Sequence, residues 1–375
     1  MKIVFPDYKN SLVNLSNSIL KHYGLGQHHS SLAILDKYLE DDYKNVVVLA
    51  FDGMGSSILK KNSDDSLFLN KYKVGDITSV FPSTTTAATA SLTSGLTPTE
   101  HCWLGWDNYV ASIDKIVTMY VNKEKGSKKR LARHNVCEKE FPYVTIMDQI
   151  NKSGKARAYQ VSPFVGKRYK TFAIQQMFDK VAMLCDKPGK KFVYAYAVEP
   201  DSSMHKCGTN SEMVKELIEM INFNTEVLSE KLEDSLLIVT ADHGHIDVSD
   251  YIILDEYPDL KNMLIRDMSL ENRAPNFFVK PEEIDNFNTE FNKYFSDDFL
   301  LLPKTEVIQK ELFGPGNVSN KFLSCLGDYI AIAKTDKAIR DNKKANYLKS
   351  QHAGICEDEM LVPLIVKPST RKRKI

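Results

Sequence analysis

Three apolar runs in this 375-residue chain each end on a carboxylate: VVVLAFD closes on Asp52, YAYAVEPD on Asp201 and LLIVTAD on Asp242. Histidines follow closely. His205 stands four residues after Asp201, His243 is beside Asp242, and His352 lies in QHAG just before the last apolar run. Singly, an aspartate at the end of a strand is an ordinary turn or cap residue. Three that converge, however, repel one another unless a cation lies between them. Three Asp and three His match the oxygen and nitrogen donors of a pair of divalent metal ions. Zinc suits the mixed set, and manganese or iron can use it. His245, three residues after Asp242, is placed either to support a metal ligand from behind or as an ordinary loop histidine, and the second is the favoured reading.

A fourth stretch, FPSTTTAATASLTSG from Phe81 to Gly95, holds five threonines and three serines and no charge. Composition alone would make it a linker. It follows the strand-like KVGDITSVF and a proline, however, has small residues at helical density, and stops at glycine as helices do. A hydroxyl on the first turn of such a helix meets free backbone N–H groups and the positive end of the helix dipole, which favour a bound phosphate. Beside a divalent cation it also loses its proton more readily and becomes a nucleophile. The stretch predicts a nucleophile turn followed by a helix.

The elements that must hold these groups follow from the apolar patterning. Asn45–Phe51, Lys191–Val198 and Ser235–Ala241 read as buried strands, and MLVPLIV near Leu361 as a fourth, whose Pro363 suits a sheet edge. Helical spacing runs over Tyr143–Gly154 and Ser211–Glu233, the second with Ser211 as its N-cap. Strands alternating with helices predict an α/β fold, a mostly parallel sheet covered on both faces, with ligands gathered at the carboxyl ends of the strands. Residues 1–254 read as the catalytic α/β domain, with a helical segment at 1–44 and an exposed, charged excursion at 108–142. Residues 255–345 read as a small inserted α+β cap, and 346–375 as the return to the catalytic domain.

Composition narrows the partners. Forty-nine basic and 49 acidic residues balance to zero net charge, which gives no support for nucleic-acid or membrane-surface binding. The basic tail STRKRKI reads as a solvated terminus. No run approaches the roughly 18 apolar residues of a membrane span, and the N-terminal stretch lacks the apolar segment of a signal peptide. Six cysteines without a CxxC pair read as reduced thiols. A cytoplasmic protein acting on a small molecule is the expectation.

Five motifs, FDGMG, FPSTTTAATASLTSGLTPTEH, EPDSSMHKCG, TADHG and HAGICEDEMLVPLIV, resemble the nucleotide pyrophosphatase/phosphodiesterase branch of the alkaline phosphatase superfamily. The resemblance implies that superfamily's α/β/α sandwich. It implies one metal held by Asp201, His205 and His352, and a second held by Asp52, Asp242, His243 and the nucleophile oxygen. Counting back from Gly95 as in that family makes Thr85 the nucleophile, with Thr84 and Thr86 as its neighbours on either side. The implied activity is hydrolysis of phosphodiester or nucleotide pyrophosphate bonds through a phosphothreonine at Thr85, on a small, nucleotide-like phosphorylated substrate. Phosphomonoester or phosphonate hydrolysis with the same site is the alternative, followed by non-catalytic binding of metal or nucleotide. A sulfatase is disfavoured, because no Cys/Ser-x-Pro-x-Arg motif is present. Two departures stand out. Alanine follows His352 where the family has glycine. Where the family places a phosphate-binding asparagine, this chain has Trp106, read as a buried structural residue, with Asn108 two positions on as the candidate donor.

Overall fold

The structure, a computed structural model, describes residues 1–162, 173–343 and 347–369; the basic tail beyond Ser369 and the end of the insert at 344–346 lie outside the described residues. Among these residues six strands form the central sheet: β1 (Asn45–Phe51), β2 (Lys73–Thr78), β3 (Arg157–Val161), β4 (Lys191–Ala197), β5 (Ser235–Thr240) and β6 (Leu361–Pro368). Their order is β2-β6-β5-β1-β4-β3. β1 lies in the middle, parallel to both β4 and β5, and all seven of its residues are buried. Burial on both faces is why its sequence is an unbroken apolar run and does not alternate. β6 is antiparallel to both its neighbours and lies one place in from the edge. Pro363 is tolerated there because β5 pairs only with Ile365–Pro368, so the missing N–H falls in the half of β6 that faces β2 alone.

Helices cover both faces. On one side pack α1 (Leu12–His22), α2 (Thr85–Ser94) and α3 (Ile146–Ser153), and on the other α4 (Ile174–Cys185), α5 (Asp201–Cys207) and the long α6 (Glu212–Lys231). The result is an α/β/α sandwich. α2 starts at Thr85 and ends on Gly95, whose φ of 76° is the left-handed C-terminal stop that glycine adopts without strain. Ser211 caps α6 by accepting from the Val214 N–H. Among the described residues no helix is long and apolar enough to cross a membrane.

The excursion and the insert are joined. Among the described residues a seven-stranded antiparallel sheet runs Phe299–Pro303, Tyr329–Ala333, Ala274–Phe277, Ser269–Glu271, Asp107–Val110, Lys115–Thr118 and Lys123–Glu124. Leu270 of the insert pairs with Asp107 of the excursion, so two stretches read separately in the sequence build one lobe. Its helix Ile284–Phe295 buries Phe287, Phe291 and Phe295 against Phe277 and Phe299, at the four-residue spacing that lines one helix face. The lobe is tied to the closing segment by Arg273 and Glu359, both fully buried, with Nε to Oε1 at 2.6 Å and Nη2 to Oε2 at 2.7 Å.

Candidate active site

Thr85, the three Asp and the three His converge at the carboxyl ends of β1, β4 and β5. Asp52 directly follows β1, and Asp242 and His243 follow β5. Asp201 opens α5, and His205 lies one turn later on the same face. His352 comes from far along the chain. It is delivered by a short pairing of Ser350–Gln351 with Ile246–Asp247, in which Gln351 faces Ile246. That pairing also places His245 beside His352, with ring centroids 5.1 Å apart.

Two clusters of donor atoms result: Asp201, His205, His245 and His352 in one, and Asp52, Asp242 and His243 in the other. Thr85 meets the second cluster, its Oγ1 lying 3.3 Å from Asp52 Oδ1 and 3.2 Å from His243 Nε2. The Tyr196 hydroxyl donates to both Asp52 and Asp242. Asp242 Oδ1 accepts from the Gly53 N–H at 3.0 Å and the His243 N–H at 2.9 Å. Three of the imidazoles are oriented by the main chain. His205 Nδ1 is 2.7 Å from the Ser350 carbonyl, His243 Nδ1 is 2.9 Å from that of Gly244, and His352 Nδ1 is 3.1 Å from that of Ser83. A carbonyl only accepts, so the proton sits on Nδ1 and the Nε2 lone pair is free for a ligand.

The electrostatics suit cations. Burial, with the charge of Asp201 added, raises the Asp52 carboxyl well above the usual carboxylate range. Burial and the nearby Asp52 push Asp242 up to about 7. Asp201 is also buried, yet the attraction of His205 and the hydrogen bond from His245 hold it below its ordinary value. Buried carboxylates this close stay ionised together only if positive charge offsets them. The donor types, the fixed imidazole tautomers and this uncompensated charge all fit a pair of divalent cations. Asp201, His205 and His352 would hold one; Asp52, Asp242, His243 and Thr85 would hold the other.

Thr85 also lines a cavity of about 320 Å³, with Asp201, His205 and His352 on one side and Thr84, Trp106, Asp107 and Glu271 on the other. The Thr84 hydroxyl turns to Glu271 Oε1 at 2.5 Å, and Glu271 also accepts from the Trp106 N–H at 2.7 Å. The first turn of α2 is therefore left without a side-chain cap, its N–H groups available to an anion.

Three expectations need correction. Trp106 is not a buried structural residue: it is 38% exposed and lines the cavity. Asn108 is fully buried and its Nδ2 donates to the Cys102 carbonyl, so it faces the core of the lobe and not the cavity. On that strand the odd positions point to the cavity side, which is why Asp107 lines it instead. His245 is no ordinary loop residue: it is fully buried with Nε2 2.6 Å from Asp201 Oδ1. The DHGH spacing was the available signal, since the next strand begins at Ile246 and places this side chain beside Asp201.

The α/β/α sandwich is alkaline-phosphatase-like, with a threonine at a helix head and two carboxylate–imidazole clusters at its strand ends. The sequence pattern of the type I phosphodiesterase/nucleotide pyrophosphatase family matches residues 46–354, and the chain belongs to that family. A comparison with curated proteins gives no match. Among solved structures, murine ectonucleotide pyrophosphatase/phosphodiesterase 5 superposes with a TM-score of 0.67 at 18% identity, over 87% of this chain and 89% of that one. An inactive variant of the murine protein in complex with AMP gives 0.68 at 18% identity, over 88% and 90%. Phosphonoacetate hydrolase from Sinorhizobium meliloti gives 0.64 at 15% identity, over 87% and 90%.

Proposed function

We propose that this protein hydrolyses phosphodiester or nucleotide pyrophosphate bonds, with Thr85 as nucleophile and a phosphothreonine as intermediate. The position of Thr85 carries the reading: it heads α2, touches Asp52 and His243, and opens on the cavity that Asp201, His205 and His352 share. Two divalent cations, zinc by donor type, would supply the charge that draws in phosphoryl oxygens and eases loss of the hydroxyl proton. Asp52 Oδ1, 3.3 Å from Thr85 Oγ1, is in reach of that proton. The uncapped N–H groups at the head of α2 hold a phosphoryl oxygen and orient phosphorus for in-line attack. Water then releases the phosphoryl group from Thr85.

The far wall bears on the leaving group. Asp107 and Glu271 present carboxylates and Trp106 an indole, which suits a neutral or cationic alcohol better than a departing phosphate. This supports a diester ahead of a pyrophosphate. The AMP bound by a protein of the same fold supports a nucleotide-like substrate. The test is kcat/KM for bis-p-nitrophenyl phosphate and p-nitrophenyl phosphate on zinc-loaded and manganese-loaded protein. A diester preference is expected, with Thr85→Ala lowering turnover by roughly a thousandfold or more. A monoester preference would replace the diester reading with phosphomonoester hydrolysis. Full activity in Thr85→Ala would remove the phosphothreonine.

A further inference from the structure

We propose that His245 is a positioning residue of the first metal pocket: its Nε2–H donates to Asp201 and fixes that carboxylate, and the imidazole takes no coordination position. The inference rests on the two-metal reading above.

His205, His243 and His352 each place Nδ1 against a main-chain carbonyl and so leave Nε2 unprotonated. His245 departs from this. Its Nδ1 is buried without a hydrogen-bond partner, while its Nε2 lies 2.6 Å from Asp201 Oδ1. A proton on Nδ1 would leave a buried N–H unsatisfied and set a lone pair against a carboxylate oxygen, and both are unfavourable. With the proton on Nε2, the short contact becomes a charge-assisted hydrogen bond, and what goes without a partner is the Nδ1 lone pair alone.

What the bond holds is visible in the pocket. His205 Nε2 and His352 Nε2 also face Asp201 Oδ1, at 3.3 Å and 3.7 Å. All three nitrogens meet the same oxygen, and Oδ1 held by the His245 hydrogen bond keeps that geometry without demanding a fourth protein ligand. The pocket then has Asp201, His205 and His352 plus an open position, the arrangement of catalytic rather than structural sites. The backbone makes room for the pair: a Cβ on Gly53 would come 2.9 Å from the His245 ring and 3.1 Å from Asp201 Cβ.

The experiment is nitrogen-15 NMR of the full-length protein with labelled histidines, metal-free and zinc-loaded, together with zinc titrations of His245→Leu and His245→Gln. We expect the His245 Nε2 to carry a proton in both states, its Nδ1 to be neither protonated nor zinc-bound, and His205 and His352 to show zinc-bound Nε2. Zinc affinity at one of the two sites should fall about 10–100-fold in His245→Leu, and largely recover in His245→Gln, which restores a donor. Two bound zinc ions with a zinc-bound nitrogen on His245 would overturn the inference alone, as would unchanged affinity in a folded His245→Leu. Wild-type protein that binds no zinc, manganese or iron would overturn the two-metal reading and this inference with it.

Discussion

At the scale of single residues, Glu271 is the most exacting member of the cavity wall. It belongs to the lobe, yet it accepts hydrogen bonds from the hydroxyl of Thr84, next to Thr85, and from the Trp106 N–H. Burial pushes its carboxyl up to about 7, against the opposing effect of those two bonds. A carboxyl raised on folding contributes stability that is present below its unfolded value and is lost as pH rises through the folded one. Glu271→Gln keeps the acceptor and removes the titration. The variant should therefore gain in stability over wild type as pH climbs from about 4.5 to 7, by up to about 1.4 kcal/mol per pH unit, with a matching rise in relative melting temperature that then levels off. Parallel melting curves across that range would show that the carboxyl is not raised. Orientation at this scale was the least legible part of the sequence. Whether Asp107 or Asn108 faces the cavity is fixed by the parity of a four-residue strand, and one position of slip exchanges their roles.

At the scale of elements, the site depends on close backbone approach. A Cβ on Gly244 would lie 2.0 Å from the Asp358 carbonyl oxygen, and one on Gly55 would lie 2.4 Å from Gly244 Cα. Neither contact can be relieved by a side-chain rotation. Gly244→Ala should cost about 1–3 kcal/mol or more and weaken metal binding at His243, while Gly26→Ala, with open space around it, should do neither. Thermal melts and zinc titrations of the two variants check this. The Arg273–Glu359 bridge is a second such joint. Arg273→Met leaves Glu359 buried without its counter-charge and should cost about 3–5 kcal/mol in thermal melts, and adding Glu359→Leu should recover only part of it, because the Gly354 and Cys356 N–H groups then lose their acceptor. Elements were largely readable beforehand, and for stated reasons. β1, β4 and β5 are covered on both faces, so the run of Val, Leu, Ile and Ala marks them directly. β3, RAYQV, with an exposed Arg157 and two half-buried residues, carries no such mark.

At the scale of the whole molecule, the three strands that end in Asp52, Asp201 and Asp242 are neighbours at the centre of the sheet, so like charges gather where the fold is least able to move. Removing the two proposed cations should therefore lower global stability and not only activity. Metal at a thousand times its dissociation constant contributes about 4 kcal/mol per site. Calorimetry of chelated and reloaded protein measures this directly, and equal melting temperatures would contradict it. Clustering of Asp52, Asp201 and Asp242 could be anticipated from strand ends alone, whereas His352 joins them only through the Ser350–Gln351 pairing. The merging of two lobe segments could not, because the sheet between them rests on a pairing as slight as Leu270 with Asp107, and no composition or periodicity encodes it.

That merged lobe has a consequence for how new specificities arise. A cap held in one continuous insert can be exchanged between relatives at two junctions, and its host is left intact. Here the cavity wall draws Trp106 and Asp107 from one stretch and Glu271 from another more than 160 positions away. Transplanting it takes four junctions, and a two-junction exchange would leave an unpaired β-edge beside Thr85. Diversification of this wall is thus channelled into side-chain replacement in place, and away from modular shuffling.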